Sequence, residues 1–420
     1  MAVLGFPEGF VWGAATSSQQ IEGGRDLGGR SESIWDRFAA TSGKIEDGST
    51  PDVTCDHYHR WREDIELMTW LGLGAYRFSI AWPRVIPTGR GAINSPGLDF
   101  YDALVDRLLE AGITPFPTLY HWDLPQVLQD EGGWASRNTA EAFLEYTAAV
   151  VRRLGDRVKH WTTHNEPWCA AVLGYEEGHH APGHESPTES LRASHNLMLS
   201  HGWAADVIRE EAPGSEVGIV LIHTPAYPET DSEGDHDAAR WFDGFFNRWY
   251  LDPIFLGQYP ADAVKDRVDA GQLDSEEMPF VEDGDLAAIN APLDFLGFNY
   301  YSRAVLKTNA DGKRVAVPQG TRESRTDMDW EVYPDGLYDG LVRVNEDYAP
   351  AKIYIAENGA AYDDPKNTNG RIVDTRRIDY LRRHLTAIRS AMAQGVPVEG
   401  YLTWSLMDNF EWGFGFQKRF

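Results

Sequence analysis

His160-Trp161-Thr162-Thr163-His164-Asn165-Glu166-Pro167 is the stretch on which the architecture turns. It opens on β-branched and aromatic residues, which favour extended backbone. It closes on an asparagine and a glutamate, cut off by a proline that cannot continue a ladder. The layout recurs at Ile353–Gly359, where an apolar run ends in Glu357 and Asn358 before a glycine stop. Six further β-rich runs lie at Phe10–Thr16, Ala75–Trp82, Thr114–Trp122, Val217–Pro225, Asp294–Ser302 and Gly400–Phe410.

Helical patterns fill most of the gaps. Leu98–Ala111 sets Leu98, Tyr101, Leu104, Val105, Leu108 and Leu109 on one face, and Asn138–Leu154 and Arg376–Gln394 carry similar stripes. Strands alternating with helices imply parallel strands and crossover connections. Eight of them suit a closed barrel, with a doubly wound sheet as the alternative. The polar and aromatic residues decide between the two. Trp82, His121–Trp122, Asn165–Glu166, Asn299–Tyr301, Glu357–Asn358 and Trp404 all fall at C-terminal strand ends. A barrel rings its site with many strand ends, whereas a doubly wound sheet binds at one crevice, and no glycine-rich phosphate loop is present. The expected fold is therefore α/β: a single-domain (β/α)8 TIM barrel over residues 1–420, with Pro225–Pro292 and Leu306–Asp335 as barrel loops. The sequence ends at Phe420, ten residues past the eighth run, so the eighth outer helix is expected to be missing. A gap in the helix ring there predicts low stability and a tendency to associate.

Composition narrows the function. Hydrophobic residues make up 42% of the 420, enough for a large core, and 15 tryptophans suit both a core and a sugar site. A net charge of −27 repels phosphate backbones and anionic membranes, so neither nucleic acid nor a membrane is an expected partner. The two cysteines, Cys55 and Cys169, are too few for a disulfide framework and read as reduced. Met1–Trp12 lacks the basic start of a signal peptide, and no apolar run approaches a membrane span. The expected location is the cytoplasm; self-association is left open. His57, His59, His179, His180 and His184 lack zinc-site spacing, so no metal or other cofactor is expected. Trp12, Trp35, Trp61 and Trp70 read as packing residues, and Trp122 as core support.

Glu166 and Glu357 each directly follow an apolar strand pattern, the placement expected of two strand ends that face one another at a barrel mouth. Glycoside cleavage needs such a pair: an acid to protonate the departing oxygen and a carboxylate on the opposite face of the sugar, about 5–5.5 Å apart where configuration is retained. A lone glutamate at either place is more commonly a cap or a surface charge, but two placed equivalently reverse that reading.

Around these residues the chain resembles a glycoside hydrolase family 1 β-glucosidase. The likeness runs through Phe6-Pro-Glu-Gly-Phe-Val-Trp-Gly, Gln20-Ile-Glu-Gly, Tyr76-Arg-Phe-Ser-Ile-Ala-Trp and Tyr120-His-Trp-Asp-Leu-Pro. It continues through His164-Asn-Glu-Pro, Asn299-Tyr-Tyr-Ser, Glu357-Asn-Gly and Trp404-Ser-Leu-Met-Asp-Asn-Phe-Glu-Trp. The resemblance implies Glu166 as acid/base and Glu357 as nucleophile, with Arg77, Asn299 and the Tyr301 hydroxyl supporting the nucleophile. It implies Asn165 on the 2-hydroxyl, and Gln20, His121, Trp404, Glu411 and Trp412 lining the glycone pocket. Trp168 and Trp330 fall on the aglycone side. The implied substrates are small β-glucosides and cello-oligosaccharides, with β-galactosides or β-fucosides as side substrates. A 6-phospho-β-glucosidase is the alternative, against which the Glu411 carboxylate argues by repulsion. A sugar-binding relative without catalysis is the reading from another class. His164 and Ala356 depart from the family's usual hydrophobic residue and threonine, and neither change removes a catalytic atom.

Overall fold

The computed structural model describes residues 5–364 and 372–420; the first four residues of the Met1–Trp12 stretch lie outside them. Eight parallel strands close a barrel: β1 Val11–Ala15, β2 Ala75–Ser79, β3 Thr114–Tyr120, β4 His160–Asn165, β5 Glu216–Ile222, β6 Phe295–Asn299, β7 Ile353–Glu357 and β8 Val398–Trp404. Each pairs with its neighbours in sequence, and β1 closes on β8 with Val11 opposite Gly400 and Ala15 opposite Trp404. All eight extended runs read from the sequence are strands, each ending earlier than its apolar pattern, because the residues beyond the ladder turn over the barrel mouth.

Helices on the outside make the crossovers: α1 His57–Leu71, α2 Ser95–Glu110, α3 Arg137–Leu154, α4 Pro187–Glu211, α5 Glu233–Asp243, α6 Pro334–Tyr348 and α7 Thr375–Ala393. Helix α2 begins with a proline in its first turn, where a missing N–H costs nothing. It buries Leu98, Tyr101, Leu104, Val105 and Leu108; a leucine fully withdrawn from water contributes about 1.5–3 kcal/mol. Leu109, expected on that face, is partly exposed. On α1 the buried stripe is Trp61, Ile65 and Met68. Trp70 lies two residues past Met68, about 200° round the helix, and is 80% exposed, so it is not a packing residue. Trp35 is fully buried, whereas Trp12 is partly exposed beside Phe6 and Phe10. After β8 the described residues form one 3-10 turn, Trp412–Phe414, and no eighth outer helix. No helix among the described residues is long and apolar enough to cross a membrane.

The barrel interior is layered. Phe116, Phe295 and Tyr354 plug it, with ring centroids 5.4 Å apart for Phe116–Tyr354 and 5.3 Å for Phe295–Tyr354. Toward the C-terminal mouth, Arg77, Thr118, Asn165, Asn299 and Glu357 form a buried polar layer. Strand parity explains Arg77 and Thr118, which follow Ala75 and Phe116 by two residues. It does not explain Glu357, three residues after the inward-facing Tyr354. The β7 register shifts between Ile355 and Glu357, and that irregularity turns the carboxylate back toward the axis. A second shift, between Thr162 and Asn165 on β4, lies next to Glu166.

The two long loops are more structured than the sequence indicates. Ala226–Pro228 pairs in parallel with Ala304–Thr308, which pairs antiparallel with Arg314–Ala316. This small sheet stands beside the barrel mouth, and the β5–β6 crossover carries the helices Trp249–Leu256, Ala261–Asp269 and Asp285–Ile289 in addition to α5.

Candidate active site

A cavity of about 550 Å³ opens at the C-terminal mouth and is lined by Glu166, Glu357 and Glu411 together with Trp404, Trp412, Tyr301 and His121. Glu357 ends β7 and is buried. Arg77 Nη1 donates to its Oε1 at 2.6 Å, and the Tyr301 hydroxyl donates to its Oε2 at 2.8 Å. Burial raises its proton affinity above the ordinary carboxylate range, and the Arg77 charge with the hydrogen bonds from Arg77, Tyr301 and Asn299 limits that rise. Arg77 is itself held by Thr118 Oγ1 at 3.1 Å and by Asn165 Oδ1 at 2.7 Å.

Glu166 follows the last residue of β4 and has the opposite surroundings. Its hydrogen-bond donors are neutral: the Asn299 amide at 2.6 Å on Oε1 and the Cys169 thiol at 3.0 Å on Oε2. Burial, then the Glu357 charge, pushes it up to about 8. Of the two carboxyls, Glu166 is the one whose surroundings favour holding a proton, because only Glu357 has a cationic donor. Asn299, expected to support Glu357, has its amide on Glu166 and, at 3.3 Å, on Asn165 Oδ1. Asn299 is the last residue of β6, opposite Glu357 in the β6–β7 register, and its side chain also reaches past β5 to Glu166 at the end of β4.

On the far wall, Trp404 and Trp412 flank the His121 ring nearly parallel to it, at 5.9 and 6.0 Å. Burial and the Arg77 charge hold His121 neutral, and its Nδ1 has no protein partner among the described residues. Trp412 rests on Trp35 at 4.5 Å and Trp122 at 4.6 Å, while Trp122 donates from its indole to the Asn165 carbonyl at 2.8 Å. Glu411 is pushed up to about 8 by burial and by the charges of Glu357 and Glu166. Non-glycine residues with left-handed backbone gather here: Trp122, Glu166, Asp329 and Trp412 have φ of 75°, 47°, 61° and 47°, and all four line the cavity.

Nine of the residues named from the sequence line this cavity: Glu166, Glu357, His121, Tyr301, Trp404, Glu411, Trp412, Trp168 and Trp330. Arg77, Asn165 and Asn299 stand behind the wall and orient the carboxylates. Gln20, expected on the wall, is fully buried behind it. Its amide N–H groups go to Asn409 Oδ1, the Phe410 carbonyl and Glu411, and its Oε1 accepts from Ser17. Trp168 packs on Phe246 at 4.2 Å, and Trp330 on Tyr301 at 5.0 Å, toward the outer part of the cavity. Among the other lining residues, Cys169 and His180 do not stand out in the sequence as site residues. Cys169 stands three residues after Glu166, a spacing that brings side chains together on a helical turn. His180, one of the metal-like histidines, instead packs at 5.2 Å on Trp35 and 5.4 Å on Trp122.

Known proteins share this arrangement of fold and motifs. The family model described as glycosyl hydrolase family 1 matches residues 4–420. Beta-glucosidase A of Acetivibrio thermocellus is 47% identical over 100% of this chain and 93% of its own length. A bifunctional beta-D-glucosidase/beta-D-fucosidase of Bifidobacterium breve is 45% identical over 99% of this chain and 92% of its own. The beta-glucosidase from Thermotoga maritima in complex with glucoimidazole superposes with a TM-score of 0.95 at 45% identity, covering 100% of this chain and 93% of that one. On fold, motifs and full-length identity together, the chain belongs to glycosyl hydrolase family 1.

Proposed function

We propose that the protein is a retaining β-glucosidase that removes terminal, non-reducing β-D-glucosyl residues by double displacement, with β-galactosides and β-fucosides as side substrates. The observation that carries this reading is the contrast between the two carboxyls: Glu357 is gripped by Arg77 and Tyr301, whereas Glu166 meets only neutral donors. In the first step Glu357 attacks the anomeric carbon while Glu166 passes its proton to the departing oxygen. In the second, Glu166, now ionised, takes a proton from water as that water displaces Glu357. Trp404 and Trp412 offer faces to the ring's C–H edges, and His121 Nδ1 and Glu411 offer partners to its hydroxyls. Asn165, with Oδ1 committed to Arg77, turns its amide nitrogen toward His121 and is assigned to the 2-hydroxyl.

Trp168 and Trp330, on the outer side, suit the aglycone of small β-glucosides or the next glucose of a cello-oligosaccharide. A 6-phosphorylated sugar would bring a dianion to Glu411 and is disfavoured. Two unpaired cysteines fit a reducing compartment, and we assign the enzyme to the cytoplasm, acting on products of cellulose breakdown. The test is the product anomer, followed by NMR during hydrolysis of an aryl β-glucoside. β-Glucose should appear first, and early α-glucose would overturn the assignment of Glu357 as nucleophile.

A further inference from the structure

We propose that the Cys169 thiol is a positioning residue for Glu166, bracing Oε2 so that the carboxyl keeps the orientation in which it hands a proton to the leaving oxygen and later takes one from water. The proposal rests on the assignment of Glu166 as the acid/base. Cys169 opens the wide helical turn Cys169–Glu176 that begins immediately after Pro167 and Trp168, and it is buried on the wall of the cavity. Its sulfur lies 3.0 Å from Glu166 Oε2, while Asn299 occupies Oε1 at 2.6 Å. The carboxyl is thus held from both ends, by β6 on one oxygen and by its own following turn on the other. An apolar side chain of similar size would fill the space and leave Oε2 free to swing.

The thiol suits both states of the catalytic cycle. Burial and the neighbouring Glu166 charge keep it protonated. Its S–H can donate weakly to the ionised carboxylate, and its sulfur can accept weakly from the neutral acid. A hydroxyl at the same place would donate more strongly and favour the ionised form. The other groups acting on Glu166 are the charges of Glu357 and Arg77 and the Asn299 amide, with Tyr301 and Glu411 facing the same cavity. None of these changes in a Cys169 variant, so a shift in the titration of Glu166 reports on the thiol.

The experiment is the pH profile of kcat/KM for a poor-leaving-group aryl β-glucoside, measured for wild type, Cys169→Ala, Cys169→Val and Cys169→Ser. The alkaline limb reports the acid/base of the free enzyme. Loss of a weak donor should move that limb up by about half a pH unit in the alanine and valine variants. Serine should bring it back down, to the wild-type position or below. The proposal is overturned if alanine and valine lower the rate evenly at all pH values with the limb unmoved. It is equally overturned if serine behaves like alanine. Glu166→Ala separates the premise: the limb should vanish in it, and a limb that persists refutes the acid/base assignment rather than the role of Cys169. If substitution at 169 prevents folding, the S–H stretching band in a Cys55→Ala background provides the readout. That band should shift as Glu166 titrates, and a band indifferent to pH overturns the proposal.

Discussion

Tyr301→Phe isolates one atom of the site. The hydroxyl donates to Glu357 Oε2 at 2.8 Å, and burial together with the neighbouring Glu357 charge holds the phenol far above its ordinary titration range, so it stays a donor at every working pH. The ring itself is packed, 5.0 Å from Trp330 and 6.0 Å from Phe420, and phenylalanine preserves that packing. What is lost is one hydrogen bond to a charged acceptor, worth about 1.5–3 kcal/mol. The bond favours the ionised form, so its removal raises the proton affinity of Glu357 by about 1–2 pH units. The acid limb of kcat/KM should move up by that amount. Glu166 is already pushed up to about 8, so the two limbs approach each other and the bell narrows. Its maximum should fall by about 10-fold or more. The assay is kcat/KM for 4-nitrophenyl β-glucoside across the full stable pH range, with thermal melts as the control for folding. An acid limb that stays in place while the rate falls evenly at all pH values would refute the argument that Tyr301 acts by holding Glu357 ionised.

Three further outcomes are expected. In Glu166→Ala, glycosylation by poor leaving groups should suffer most and by a dinitrophenyl glucoside least, with azide rescue giving a β-glycosyl azide; Glu357→Ala should lose all substrates and yield the α-azide, and equal losses on good and poor leaving groups would contradict both roles. Glu411→Ser should cost glucosides about 2–3 kcal/mol of transition-state binding, read as kcat/KM, while 6-phosphoglucosides lose less. A Cβ on Gly359 would lie 1.7 Å from the Trp404 carbonyl oxygen, so Gly359→Ala should push the β7 and β8 ends apart, lowering both the melting temperature and kcat/KM; an unchanged melt would show that the contact yields easily.

The barrel is legible in the sequence because its pattern repeats eight times, and because polar and aromatic residues at so many strand ends suit a ringed mouth and little else. Glu166 and Glu357 are legible for the same reason, with no need of their side-chain partners. Strand ends are not, since Trp122 and Phe410 continue the apolar pattern of β3 and β8 after the ladders stop. They are buried over the mouth rather than in the sheet. The small sheet at Ala226–Pro228, Ala304–Thr308 and Arg314–Ala316 joins distant segments too short to show alternation. Partnerships are harder still. The resemblance assigns Asn299 to Glu357 on the adjacent strand, and its amide also contacts Glu166 one strand further round, a second partner that no spacing in the sequence shows. The motif around Gln20 puts it on the wall, whereas the acceptors that claim its amide come from a loop 389 residues away.

The left-handed backbone at Trp122, Glu166, Asp329 and Trp412 also bears on how such a protein changes under selection. Each residue that is not glycine costs of order 1–3 kcal/mol in that conformation. Glycine at Glu166 would relieve that strain and the burial of a carboxyl in one step, and would remove the proposed proton donor. At Trp122 and Trp412 the packing of a buried indole outweighs that relief, so a population of variants sorted for heat resistance alone should accumulate glycine at Glu166 and Asp329 and come out sturdy and inert. Only sorting that demands turnover at the same time would hold the Glu166 side chain in place, and the amount of stability it gives up would measure how much the fold is bent to the service of its chemistry.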